Sequence, residues 1–214
     1  MNAKDFFNRF IENIKVDMIY RDDKFPELKG KTYLQIYKNN TDFTKLVNRK
    51  IIEEILISEY GKDSISHEYF RIDSVAWESH YKDMKNELGL NPHLWDLKIA
   101  VEHENSLKDW TDEVIKLIHI KCPLKVIIGY NHCNRRDISD DTDKIDGKSD
   151  IAKLDFIAKW MKKVEAFAVG DDEEYLIILG NAQADGTNKK EYVDFDYRGY
   201  LYNRETNKFE RIYG

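Results

Sequence analysis

The segment Trp95–Asn105 runs apolar and then ends in acids, with Glu102 and Glu104 flanking His103. In an extended chain alternate side chains share a face. Ala100, Glu102 and Glu104 therefore point one way, and Ile99, Val101 and His103 the other. Two carboxylates on one face of an apolar strand repel each other, and burying them unpaired costs several kcal/mol per ion. A divalent cation between them removes that cost. A third acid, Asp73, stands in the middle of the aromatic, β-rich stretch Tyr69–Trp77. An acid in such a segment needs a partner or a ligand. If the two segments pair, Asp73 and Glu102 share one oxygen-rich site suited to Mg²⁺ or Mn²⁺, ions that take few protein carboxylates and keep several waters. An ion held this way generates hydroxide and stabilises the transition state of phosphodiester hydrolysis.

At these residues the chain resembles the PD-(D/E)XK nuclease superfamily, the restriction endonuclease-like fold. The family pattern is an Asp on one strand, a second strand ending in acid-x-Lys, then a helix and another strand. Asp73 matches the first acid and Glu102 the second. Glu104 stands where the family usually has lysine, so the match is to the Glu-x-Glu variant. Lys98 shares strand parity with Glu102 but lies four residues away, roughly 13 Å along a strand. The resemblance implies Asp73, Glu102 and Glu104 as catalytic residues. It also implies an extra metal ligand from a helix preceding the strands, for which Glu54 is the candidate.

The elements that would carry these residues follow from periodicity. Residues 42–60 have Phe43, Val47, Ile51 and Ile55 at helical spacing, with Thr41 or Asp42 to cap the start and Gly61 to end the helix. Glu54 falls on that stripe when positions are counted from Val47 and Ile51. The expectation is a core-facing glutamate that either ligates a metal or pairs with a lysine. Ser106 and Asp109 resemble a capping box opening a helix to about residue 120, and Pro123 closes it. Leu124 to Tyr130 is a buried type of strand. Asp150 to Phe167 reads as a helix, Tyr175 to Leu179 as a strand, and Tyr192–Tyr202 with Phe209–Tyr213 as a hairpin. Tyr33 to Tyr37 reads as a short strand. The expected architecture is α/β, a mixed central sheet flanked by helices. It forms one domain over residues 1–214, with its core at about 42–130, an N-terminal helix, and a C-terminal helix and β-hairpin extension.

Composition bounds the rest. The chain has 214 residues, 42% apolar and 13% aromatic, with 10 glycines and 3 prolines, so a sizeable core is available. No run approaches the roughly 18 apolar residues of a membrane span. Lys4, Asp5, Arg9 and Glu12 interrupt the apolar positions of the N-terminal segment, unlike a secretory signal. A cytoplasmic protein is expected, with Cys122 and Cys133 as free thiols. Neither cysteine has zinc spacing, and no phosphate-binding glycine loop or nucleophile elbow is present.

The net charge of −6 is unusual for a nucleic-acid binder. Arg135 and Arg136 beside a strand end are the candidate DNA-backbone contacts, with a solvated loop as the alternative. The resulting expectation is Mg²⁺- or Mn²⁺-dependent hydrolysis of DNA, with a homodimer if both strands are cut. Two alternatives stand beside it. One is an inactive member of the fold that binds nucleic acid or protein. The other is an acidic immunity-type protein whose carboxylates meet a basic partner.

Overall fold

The computed structural model describes residues 1–14, 19–79, 95–105, 109–131, 150–168, 172–184 and 192–213. Arg135, Arg136, His132 and Cys133, and the proposed helix start at Ser106, lie outside these residues. The elements are helices α1 (Ala3–Asn13), α2 (Tyr33–Tyr37), α3 (Asn40–Thr44), a π-helical segment (Lys45–Ile52) and α4 (Glu53–Tyr60). Strands β1 (Ile65–Tyr69), β2 (Ile72–Ser79) and β3 (Trp95–His103) follow. Then come α5 (Trp110–Ile118), β4 (Leu124–Tyr130), α6 (Asp150–Met161), β5 (Glu174–Ala184), β6 (Tyr192–Asn203) and β7 (Lys208–Ile212).

The strands form one seven-stranded sheet in sequence order. β1, β2 and β3 are an antiparallel meander. β3, β4 and β5 run parallel, joined across α5 and α6. β5, β6 and β7 are antiparallel again. Parallel neighbours need a crossover, usually a helix, which is what α5 and α6 provide. The expected C-terminal hairpin is thus part of the same sheet. Its Tyr197, Tyr200 and Tyr202 are buried packing residues.

Helices cover both faces. On one, α1 and the helical run from Asn40 to Tyr60 bury Phe6, Phe10, Phe43, Val47, Ile51 and Ile55 against Ile99, Val101, Val126 and Ile128. On the other, α5 and α6 bury Trp110, Val114, Leu117, Leu154, Ile157 and Met161 against Val75, Ala100, Ile127 and Ile177. β4 has seven consecutive buried residues, the pattern of a strand covered on both faces. Gly129 permits the close seat of α5. A Cβ there would lie 2.6 Å from the Trp110 ring and 2.7 Å from the Trp110 Cβ. Among the described residues, no helix is long and apolar enough to cross a membrane.

Several local expectations are corrected. Tyr33–Tyr37 is a helix, because Thr32 and Gln35 form a reciprocal capping box and Tyr33 and Ile36 are buried on one side. The cap of the 40–60 helical run is Asn39, whose side chain accepts from the amides of Thr41 and Asp42. Gly61 ends the run at φ +83, a conformation open to glycine. The strand expected over 69–77 is divided, because Phe70 and Arg71 form a hairpin turn between β1 and β2. Asp73 therefore sits at the start of β2 rather than in mid-strand. The Asp150 helix ends at Met161, and Phe167 lies in a short 3₁₀ turn.

Candidate active site

β2 and β3 pair in the register Ser74↔Val101, Val75↔Ala100. Their faces alternate as the sequence requires. Asp73 and Glu102 emerge on the side covered by α5 and α6, where Val75 and Ala100 are buried. His103 turns to the opposite side, packed against Tyr130 and Phe43. Its Nε2 lies 2.8 Å from the Tyr130 hydroxyl. Burial pushes the imidazole pKa down to about 3, so it is neutral. The backbone amide of His103 serves the other side by donating to Asp73 Oδ2 at 2.8 Å.

These residues line a cavity of about 440 Å³ together with Glu68, Arg71, Glu104, Glu113 and Lys116. Asp73, Glu102 and Glu104 are thus brought together. Lys116, from the last full turn of α5, supplies a cation. Its Nζ lies 2.7 Å from Glu102 Oε1 and is also ion-paired with Glu113 one turn earlier. It donates to the Arg71 carbonyl at 2.9 Å, tying the β1–β2 turn to the same centre.

The electrostatics follow from burial. Glu102 is 2% exposed. Desolvation pushes its carboxyl up to about 8 against the pull of Lys116, and the neighbouring Asp73 charge adds to the rise. Asp73 is also raised by burial, with the His103 amide opposing. Lys116 is half-buried, yet the carboxylates of Glu102 and Glu113 outweigh desolvation and hold its pKa above the usual lysine value. It is an ammonium at neutral pH.

The Lys116–Glu102 contact is an ion pair without good hydrogen-bond alignment. Glu102 Oε1 and Glu113 Oε2 are buried with no aligned donor among the described residues. Both oxygens touch the Lys116 ammonium, and carboxylates gathered in a cavity also suit a hard cation. Among the described residues no three His, Cys, Asp or Glu side chains form a ready cage. Asp73 and Glu102 are the two strand carboxylates lining the cavity that could hold a metal.

Glu54 does not belong to this site. It is exposed on the outer face of α4 and pairs with Lys50 at 3.4 Å. The cause is the π segment that precedes it. The i→i+5 bonds over Lys45–Ile52 rotate later positions relative to a count at 3.6 residues per turn. Glu53 turns inward instead. Its Oε2 lies 3.0 Å from His67 Nε2, and His67 Nδ1 lies 3.0 Å from Ser74 Oγ. This chain has the residue types of a hydrolytic triad, but Ser74 is 0% exposed and no substrate reaches it. It fastens the helix to β1 and β2 behind Asp73. Lys98 pairs with Glu78 at 3.0 Å, away from the cavity.

Sequence reasoning missed Lys116, Glu113, Glu68 and Arg71. A usable signal existed for the first two. Lys116 and Glu113 are an i,i+3 pair on the helix that must cross over the sheet after β3. Compared with known families, curated proteins and solved structures, the chain matches none.

Proposed function

We propose that this protein is a divalent-metal-dependent nuclease that hydrolyses DNA phosphodiester bonds, with its centre at Asp73, Glu102 and Lys116. The carrying observation is that two carboxylates from paired strands and a lysine from the crossover helix line one cavity, with Glu102 buried and incompletely satisfied. The order of elements also supports the restriction endonuclease-like resemblance. A helical run precedes three antiparallel strands, the third strand ends in the acids, and a helix returns to a parallel strand.

Asp73 and Glu102 would hold Mg²⁺ or Mn²⁺, which when bound polarises the phosphate and lowers the pKa of water. The chain's own groups do the rest. The His103 amide fixes the Asp73 carboxylate. Glu104 stands at the cavity rim, half-buried, where it takes the proton of the attacking water. Lys116 is cationic, so it acts by stabilising charge rather than as a base. It stands where the developing negative charge on phosphate needs it. The water oxygen forms the new P–O bond, the bridging P–O bond breaks, and the leaving oxygen is protonated by Lys116 or by water. On this reading Lys116 of α5 takes the part of the lysine that the family motif carries on the strand.

The test is calorimetric Mn²⁺ titration together with cleavage of single-stranded and duplex DNA in Mg²⁺ or Mn²⁺. Wild type should bind the ion and cleave. Asp73→Asn and Glu102→Gln should lose both while remaining folded by circular dichroism. Cleavage by Glu102→Gln at the wild-type rate, or a wild type that binds no ion, would overturn the assignment.

A further inference from the structure

The β1–β2 turn is the second unusual feature of the cavity. β1 and β2 pair up to Tyr69↔Ile72, leaving Phe70 and Arg71 as the two turn residues. Both have positive φ, +48 and +66, and Glu68 beside them has φ +55. Two-residue hairpins with this backbone favour Asn, Asp and Gly, which tolerate it. A phenylalanine and an arginine there are strained. Backbone strain of this kind concentrates where side chains must be presented in a set direction.

What the turn presents is specific. The Phe70 side chain is 78% exposed, and its ring stands edge-on to Tyr69 with centroids 4.6 Å apart. Most of the residue is therefore open to a partner. Arg71 lines the cavity beside Asp73 and Glu102 and makes no side-chain ion pair among the described residues. Its carbonyl accepts from Lys116, so the turn is registered against the reacting centre. An exposed ring, a free guanidinium and an acid pocket do not make an apolar protein-docking groove. They match the alternation of base and phosphate along a nucleic-acid strand.

We propose that the Phe70–Arg71 turn grips the substrate strand. Phe70 stacks on an unpaired base, and Arg71 contacts a phosphate next to the one being cut. The inference rests on the nuclease reading and narrows its substrate class to single-stranded DNA or the unpaired part of a duplex. A base inside continuous duplex has its π faces occupied by its neighbours, whereas an unpaired base offers one. Arg71 supplies the phosphate contact that the chain's overall acidity otherwise opposes.

The experiment uses the full chain in Ca²⁺, with a fluorescein-labelled single-stranded oligonucleotide and its duplex as probes, read by anisotropy. Wild type should bind the single strand at least about tenfold more tightly than the duplex. Phe70→Ala should lose about tenfold of single-strand affinity, and Phe70→Trp should retain it. Arg71→Gln should weaken binding to both probes and lower the salt slope by about one. Phe70→Asn, which suits the turn backbone, reports whether the loss comes from the missing ring or from misfolding. It should fold at least as well as wild type and still bind weakly. Unchanged affinity in Phe70→Ala, or a wild type that favours duplex or binds neither probe, would overturn the proposal. Mn²⁺ titration separates the two readings. Retained metal binding without single-strand preference removes the turn's role alone, and absent metal binding removes the nuclease itself.

Discussion

Two buried carboxylates, Glu102 and Asp150, sit in the same half of the molecule and are treated in opposite ways. Asp150 opens α6 and is 6% exposed. Its oxygens accept from Arg198 Nε and Nη2, from the Tyr200 hydroxyl at 2.7 Å, and from the Asn131 amide. Asn131 is held in turn by Lys153 at 2.7 Å. Every lone pair has a donor and the charge has a buried, bidentate partner. Glu102 is as deeply buried, but its Oε1 meets one poorly aligned cation, Lys116, and has no aligned donor among the described residues. A satisfied buried acid locks β4, α6 and β6 together. An under-satisfied one, open to a cavity, is prepared for something that arrives. Burial alone does not mark function; the difference between burial and satisfaction does.

That contrast breaks most visibly at Asp150. Asp150→Ala takes the bidentate carboxylate from Arg198, which is 1% exposed and keeps a longer contact of 3.5 Å with Asp196, and should cost about 3–5 kcal/mol in urea unfolding. A loss below about 1 kcal/mol would mean that the network is not what holds these strands.

Glu102 should behave in the opposite sense. Its carboxyl is raised from 4.5 to about 8 in the folded protein, and the Asp73 shift has the same sign. A raised acid binds more protons folded than unfolded. Metal-free stability is therefore fullest below pH 4.5 and falls as pH rises through 8. Glu102→Gln removes that term and should be more stable than wild type by about 2 kcal/mol at pH 8.5, with little difference at pH 5. Mn²⁺ should restore the wild type at high pH and leave the variant unchanged. Thermal melts across pH with and without the ion check this, and a parallel pH dependence of the two proteins would contradict it.

The smallest effect belongs to Glu54, whose exposed pair with Lys50 is screened by solvent. Glu54→Gln should change stability by less than about 0.5 kcal/mol and leave cleavage unaltered. A tenfold drop in cleavage would return this residue to the metal site.

Much of this arrangement was legible residue by residue. The alternation of Ile99, Ala100, Val101, Glu102 and His103 already assigns the acids to one face and the histidine to the other, since strand geometry is local. The apolar run of β4 and the stripe of Phe43, Val47, Ile51 and Ile55 mark buried elements for the same reason. Three positions depart from that reading, each for its own reason. Counting turns assigns Glu54 to the apolar face, and the π segment changes the count. Tyr33–Tyr37 has aromatic, β-type composition, and a capping box outweighed it. The pattern puts Asp73 in mid-strand, because a Phe-Arg turn carries none of the usual turn residues.

From sequence alone came the identity and facing of the two strand acids, because period-two geometry is written in neighbouring residues. Which cation would meet Glu102 was decided only in three dimensions. Strand spacing sets Lys98 roughly 13 Å from Glu102, and the i,i+3 pair of Glu113 and Lys116 marks the following helix, but only the seating of that helix brings Lys116 to the acid. The close seat of Trp110 on Gly129 sets α5 against the sheet, and this contact between residues distant in the chain brings Lys116 over the acids. Packing of that kind depends on the whole core, so no window of sequence contains it.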